Sequence, residues 1–232
     1  MTNHQFEITW KASPNYFKGR NGKRIIAIVD HITAGLMPGC LSWMQNSASK
    51  ASANYLVGRT GRIYQMVKDE DSAWHAGEVK KPSWRLYDGT NPNRYTIGIE
   101  HEGKGGDALT EDQYQATLWL HRQLIAKWGI PIDTDHIIGH YRIDSVNRPN
   151  CPGPGFPWNR LFNDLRNGVI DLALDKWMIE GGQAALKELA AKGLIDPQSI
   201  PERSTEKGLA EPFPSYLAWM MLDRLANYKG GK

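Results

Sequence analysis

Three side chains in this sequence are of types that bind metal, and each sits in a segment able to hold it still: His31, His140 and Cys151. His31 ends the apolar run Arg24-Ile25-Ile26-Ala27-Ile28-Val29-Asp30-His31, in which four residues are Ile or Val and no helical polar face intervenes. That pattern reads as a buried strand aiming His31 at a sheet edge. His140 follows Ile137-Ile138-Gly139, the end of a further short strand. Cys151 lies in Asn150-Cys151-Pro152-Gly153-Pro154-Gly155, where closely spaced Pro and Gly exclude helix and fix a tight loop. Two imidazoles and a thiolate suit zinc, and a set of three leaves a fourth position for water, as a catalytic zinc requires. A histidine after a strand is more often a hydrogen-bonded core residue. These candidates are also spread over about 120 residues, without the compact spacing of a zinc finger or an HExxH helix. Residue chemistry alone therefore leaves the metal open.

The elements that must position these groups alternate along the chain. A helix is expected over residues 38–50, from Leu41, Met44 and Ala48 at helical spacing. A hairpin follows, with Asn54 to Val57 and Arg62 to Val67 flanking Gly58-Arg59-Thr60-Gly61. Residues 78–95 carry Pro and Gly breakers beside Trp84 and Tyr87, and read as a long loop overhanging the site. In the strand Thr96 to Glu102 the period of two puts Gly98, Glu100 and Glu102 on one face. Thr110 opens a helix with Glu111 and Asp112 in its first turn, Gly129 and Pro131 end it, and Leu118, His121, Leu124, Ile125 and Trp128 face the sheet. A last helix runs from about Trp158 to Arg166. The sum is an α/β fold, a mixed central β-sheet flanked by helices.

Five segments occur in order: Val29-Asp30-His31-Ile32-Thr33-Ala34-Gly35, Ala73-Trp74-His75-Ala76-Gly77, Ile97-Gly98-Ile99-Glu100, Ile138-Gly139-His140, and Cys151-Pro152-Gly153-Pro154-Gly155-Phe156-Pro157-Trp158. Together, over roughly residues 20–165, they resemble the zinc-dependent N-acetylmuramoyl-L-alanine amidases of the phage-endolysin and peptidoglycan-recognition type. The resemblance implies a peptidoglycan-recognition-protein-like fold with Zn2+ on His31, His140 and Cys151, and Glu100 acting in catalysis. The bond cut would be the amide between the lactyl group of N-acetylmuramic acid and the L-alanine of the stem peptide. Glu102, on the same face, is the rival carboxylate. Relatives carry a basic residue two positions before the Cys or Asp ligand, where this chain has Pro149; Arg148 is the substitute for stabilising the oxyanion. His75 is the other candidate for that role or for gripping substrate, equally readable as a loop hydrogen-bond donor. Asp144 and His136 are better read as supporting or structural groups. A non-catalytic peptidoglycan-binding module is disfavoured by the presence of all three ligand types. A zinc peptidase acting within the stem peptide stays open.

At 232 residues there is room for one full domain and a small appendage. With 28 basic and 25 acidic residues and no basic stripe, nucleic acid is a poor partner. Cys40 and Cys151 are the only cysteines, and if Cys151 is a zinc thiolate Cys40 has no partner, so no structural disulfide is expected. The N-terminus lacks the basic start and apolar core of a signal peptide, and no 18-residue apolar run suggests membrane insertion. The expectation is a protein held in the host cytoplasm until release and then acting on the cell wall. That fits a phage or prophage endolysin dependent on a separate membrane-permeabilising protein. The domains expected are 1–166, catalytic, and 167–232, a helical module that binds wall, packs on itself or dimerises. From residue 165 onward nine basic and nine acidic residues balance, so charge cannot hold the module to a wall polymer.

Overall fold

The computed structural model describes residues 6–167, 187–188 and 190–193. The chain divides into two units after Arg166, and the expected helices of residues 167–232 lie almost wholly outside the described residues. In the first unit the strands are β1 (Ile8–Trp10), β2 (Tyr16–Phe17), β3 (Ala27–Ile32), β4 (Tyr55–Val57), β5 (Ile63–Gln65), β6 (Ser72–Ala73), β7 (Thr96–His101) and β8 (Ile137–Gly139). The helices are α1 (Gly39–Gln45), α2 (Glu111–Trp128) and α3 (Trp158–Arg166). Six strands form one mixed sheet in the order β1-β5-β4-β7-β3-β8, and β2 pairs with β6 apart from it. The sheet centre is parallel: β3 pairs with both β7 and β8, and β7 with β4.

Alternation along the strands assigns the two faces. Ile28, Tyr55, Val57, Ile97 and Ile99 pack against Ala116, Leu120 and Leu124 of α2. Tyr114 and Leu118 turn instead toward Ile137 and α3, joining Leu161, Phe162 and Leu165. On the opposite face Leu56 meets Cys40 and Met44 of α1, while Ala27 and Val29 meet Trp84, Tyr95 and Ile138. Helices thus cover both faces, as a mostly parallel sheet requires. Helix α2 begins where the sequence places it, with the Thr110 side chain accepting from Gln113 N–H, and ends at Gly129 in the left-handed conformation.

Two expectations need correction. The helix expected over 38–50 stops at Gln45, because Asn46 turns extended and its side chain accepts from Ala48 N–H at 2.9 Å, starting a separate 3-10 turn over Ser47–Ser49. The 78–95 loop borders the site at Glu78, beside His140 and Arg148, but the rest of it lines neither pocket there. Its Trp84 stacks on Tyr95 and buries against the sheet, with the indole N–H donating to Asp135 O at 2.7 Å. Large aromatic rings gain more from that burial than from standing over an open polar cleft.

His121 does more than pack. Its Nε2 lies 3.2 Å from Asp30 Oδ2, and both side chains are fully buried between α2 and β3. Next to the Asp30 carboxylate, with its Nδ1 against Thr117 O, His121 has a pKa above the ordinary imidazole value despite burial. This ion pair joins the helix layer to the strand carrying His31. Replacing His121 with Phe leaves the Asp30 carboxylate buried without its cation, and denaturant unfolding should show a loss of about 3–5 kcal/mol. A loss under about 1 kcal/mol would show that the pair is not holding the layers together.

Candidate metal centre

Three adjacent parallel strands deliver the site from their C-terminal ends, where open α/β sheets commonly place ligands. His31 is the fifth residue of β3 and pairs in register with Glu100 of β7, while Gly139 pairs with Asp30 so that His140 emerges beside His31. Gly139 is needed here: a Cβ would stand 2.6 Å from the Tyr141 ring and 2.8 Å from Pro152. Its absence lets the Cys151 turn fold against β8, and Tyr141 N–H donates to Cys151 O at 3.1 Å. His140 and Cys151 are thereby fixed relative to one another.

The side chains converge. His31 Nδ1 lies 3.0 Å from His140 Nδ1 and 3.9 Å from Cys151 Sγ, and all three donor atoms lie within 4.8 Å of one another. Ligands of a tetrahedral zinc at about 2.0–2.3 Å stand roughly 3.3–3.8 Å apart, so the spacing suits one such ion. The electrostatics agree. Burial, with His140 nearby, holds His31 well below the ordinary imidazole pKa, and burial also lowers His140, so both rings are neutral and carry a lone pair. Burial, with the Glu100 carboxylate adding to it, pushes the Cys151 thiol up to about 12. Uncharged donors closing on one point are what a cation would reorganise, by stabilising the thiolate and drawing both lone pairs.

Glu100 faces the same cleft, of about 760 Å³, which His31, His140, Cys151, Arg148, Trp43 and Trp74 also line. The residue is only partly covered, yet its Oε2 is sealed from solvent and has no hydrogen-bond partner. Burial raises its pKa to about 8, partly opposed by Arg148. Such a carboxyl group exchanges a proton near neutral pH. Glu102 is excluded as its equivalent by its partners: Oε1 accepts from Met37 N–H at 2.9 Å and Oε2 from Arg59 N–H at 2.8 Å. It ties two loops together.

Arg148 is exposed and faces the cleft, and among the described residues no carboxylate lies within ion-pair reach of its guanidinium, which suits it to meet an anionic group. His75 is placed differently from either role first considered for it. It borders the cleft but is 6% exposed, and both ring nitrogens have protein partners, His31 Nε2 at 3.1 Å and Thr96 Oγ1 at 3.0 Å. No nitrogen is left to grip substrate or an oxyanion. Asp144 accepts from Val146 and Asn147 and shapes that turn, and His136 pairs with Asp133, so both act structurally. Thr96 and Asn93, which hold His75, were not visible in the sequence, because a Thr and an Asn in a turn carry no chemical signature of their own.

Comparison with known proteins covers the stretch of chain that holds the site. The family model described as N-acetylmuramoyl-L-alanine amidase matches residues 21–154. N-acetylmuramoyl-L-alanine amidase A of Achromobacter lyticus is 30% identical over 70% of this chain and 95% of its own length. The 1,6-anhydro-N-acetylmuramyl-L-alanine amidase AmpD of Salmonella typhimurium is 38% identical over 48% of this chain and 56% of its own. Among solved structures, an AmpD derivative superposes with TM-score 0.56 at 28% identity, covering 68% of this chain and 94% of that one. AmiD from E. coli, solved with anhydro-N-acetylmuramic acid-L-Ala-D-gamma-Glu-L-Lys, gives 0.54 at 26% identity, covering 80% and 78%.

The two glutamates should separate on stability. Glu102→Ala strands two backbone N–H groups and should cost about 1–3 kcal/mol in denaturant unfolding. Glu100→Gln removes a desolvated carboxylate that has no bond to lose, so stability should hold or rise. Equal losses would mean that Glu100 is a structural residue.

Proposed function

The chain belongs to the N-acetylmuramoyl-L-alanine amidase family, and from that membership we propose that it holds Zn2+ on His31, His140 and Cys151 and hydrolyses the amide between N-acetylmuramic acid and L-alanine. The observation that carries the reading is the convergence of these three donors beside a carboxyl group whose Oε2 is sealed from solvent and unpartnered. Bound zinc would supply Lewis acidity, lowering the pKa of water to about 7 and polarising the scissile carbonyl. Glu100 takes the proton of the attacking water as the oxygen–carbon bond forms, and returns it to the amine nitrogen as the carbon–nitrogen bond breaks. Its raised pKa suits both transfers. Arg148, at the cleft wall, offers positive charge to the oxygen that becomes anionic, replacing the basic residue that Pro149 displaces. The exposed indole of Trp43, 59% accessible, gives a sugar ring an apolar surface in the cleft that Lys50 also lines.

Two settings fit this chemistry. Lysis of a wall by a phage or prophage endolysin is the first, with access to the wall left to a separate membrane-permeabilising protein. Cleavage of soluble anhydro-muropeptides is the second, and the names of the AmpD and AmiD relatives favour it. Among the described residues no helix is long and apolar enough to cross a membrane, which suits either. Intact sacculi and a purified anhydro-muropeptide, offered in parallel and analysed by mass spectrometry, distinguish them. Both digests should yield a free L-alanine amine and an intact muramoyl lactyl acid, and the faster substrate identifies the setting. A cut inside the stem peptide would replace this reading with a peptidase. Glu100→Gln should keep its zinc while turnover falls by about 10²–10⁴-fold. Near-normal turnover would remove Glu100 from the reaction.

A further inference from the structure

We propose that His75 is a positioning residue: a one-way chain of hydrogen bonds through it fixes His31 in the tautomer that turns the Nδ1 lone pair to the metal site. The inference rests on the zinc reading above and concerns what makes that site competent. The direction of the chain follows from its far end. Pro92 O can only accept, and Thr96 Oγ1–H donates to it at 2.8 Å. Thr has one hydroxyl proton, so toward His75 Nε2, 3.0 Å away, Thr96 Oγ1 accepts. A neutral imidazole that donates from Nε2 accepts at Nδ1. His75 Nδ1 therefore takes the proton of His31 Nε2 at 3.1 Å, and His31 Nδ1 is left bare, facing His140 and Cys151. Three side chains, Thr96, His75 and His31, are set in order by one backbone carbonyl.

The same short segment serves the other histidine. His140 Nε2–H donates to Ala76 O at 2.8 Å, which bares its Nδ1 toward the same point. The segment is itself pinned, since Asn93 Oδ1 accepts from both His75 N–H at 3.1 Å and Ala76 N–H at 2.8 Å. Space for the His75 ring is made by Gly98, where a Cβ would overlap the imidazole. Side chain and carbonyl of adjacent residues thus orient two ligands from behind, an arrangement that costs about 10–100-fold in metal affinity when lost.

The experiment uses the full chain and zinc titrated against a chromophoric chelator. His75→Phe keeps the ring volume and removes the acceptor, and should weaken zinc binding about 10–100-fold. His75→Asn, whose amide oxygen stands near the former Nδ1, should stay within a few-fold of wild type. Thr96→Val should weaken binding where Thr96→Ser does not. Zinc bound by His75→Phe as tightly as by wild type overturns the proposal. Long-range 1H–15N spectra of the zinc-free wild type give a reading independent of any variant's folding. They should show His31 and His75 as Nε2–H tautomers, and an Nδ1–H form of His75 overturns the proposal whether or not zinc binds. A wild type that binds no zinc yet shows these tautomers would sink the metal assignment and leave the chain of hydrogen bonds standing.

Discussion

Two imidazole nitrogens 3.0 Å apart, with a thiol sulfur 3.9 Å from one of them, are the convergence that the surrounding structure serves. The hydrogen bonds behind the two rings turn both Nδ1 lone pairs inward, and lone pairs at that distance repel each other unless a positive charge lies between them. A cation reconciles all three donors. Much of the surrounding structure can be read as holding this convergence in place: the Ala76 carbonyl behind one ring, the His75 imidazole behind the other, and the backbone bond from Tyr141 N–H to Cys151 O that ties the thiol to the His140 segment.

Sheet register is the larger cause. Parallel pairing of β3 with β7 and β8 brings the C-terminal ends of three strands side by side, so His31, His140 and Glu100 emerge within one cleft although about 110 residues separate the first from the last. A slip of one residue in β3 would send His31 to the α2 face and bring Asp30 out of its pair with His121. The buried Asp30–His121 ion pair, on the opposite face from the site, therefore opposes the slip that would dismantle the site.

The sequence made the site legible where chemistry and pattern coincided. Strand alternation put Gly98, Glu100 and Glu102 on one face, and the Pro-Gly loop around Cys151 announced a fixed turn; Glu100 and Cys151 line one cleft with the two histidines. The choice between Glu100 and Glu102 was not legible, because two carboxylates in the same alternation differ only in their backbone partners, and those come from loops distant in sequence. His75 was visible as a residue of interest but not in its role, which depends on Thr96 and Pro92 about 20 positions away. The 78–95 loop shows a related limit. Its Pro and Gly content predicted irregular backbone, whereas the side it packs on was decided by Trp84 and Tyr95 finding apolar partners.

The central claim is the identity of the metal ligands, and X-ray absorption at the zinc edge on the purified full chain tests it most directly. The account predicts two nitrogen scatterers at about 2.0–2.1 Å, one sulfur at about 2.3 Å and a light-atom ligand in the fourth position, with the sulfur shell lost in Cys151→Asp. A zinc shell without sulfur in the wild type, or one that Cys151→Asp leaves unchanged, would contradict it.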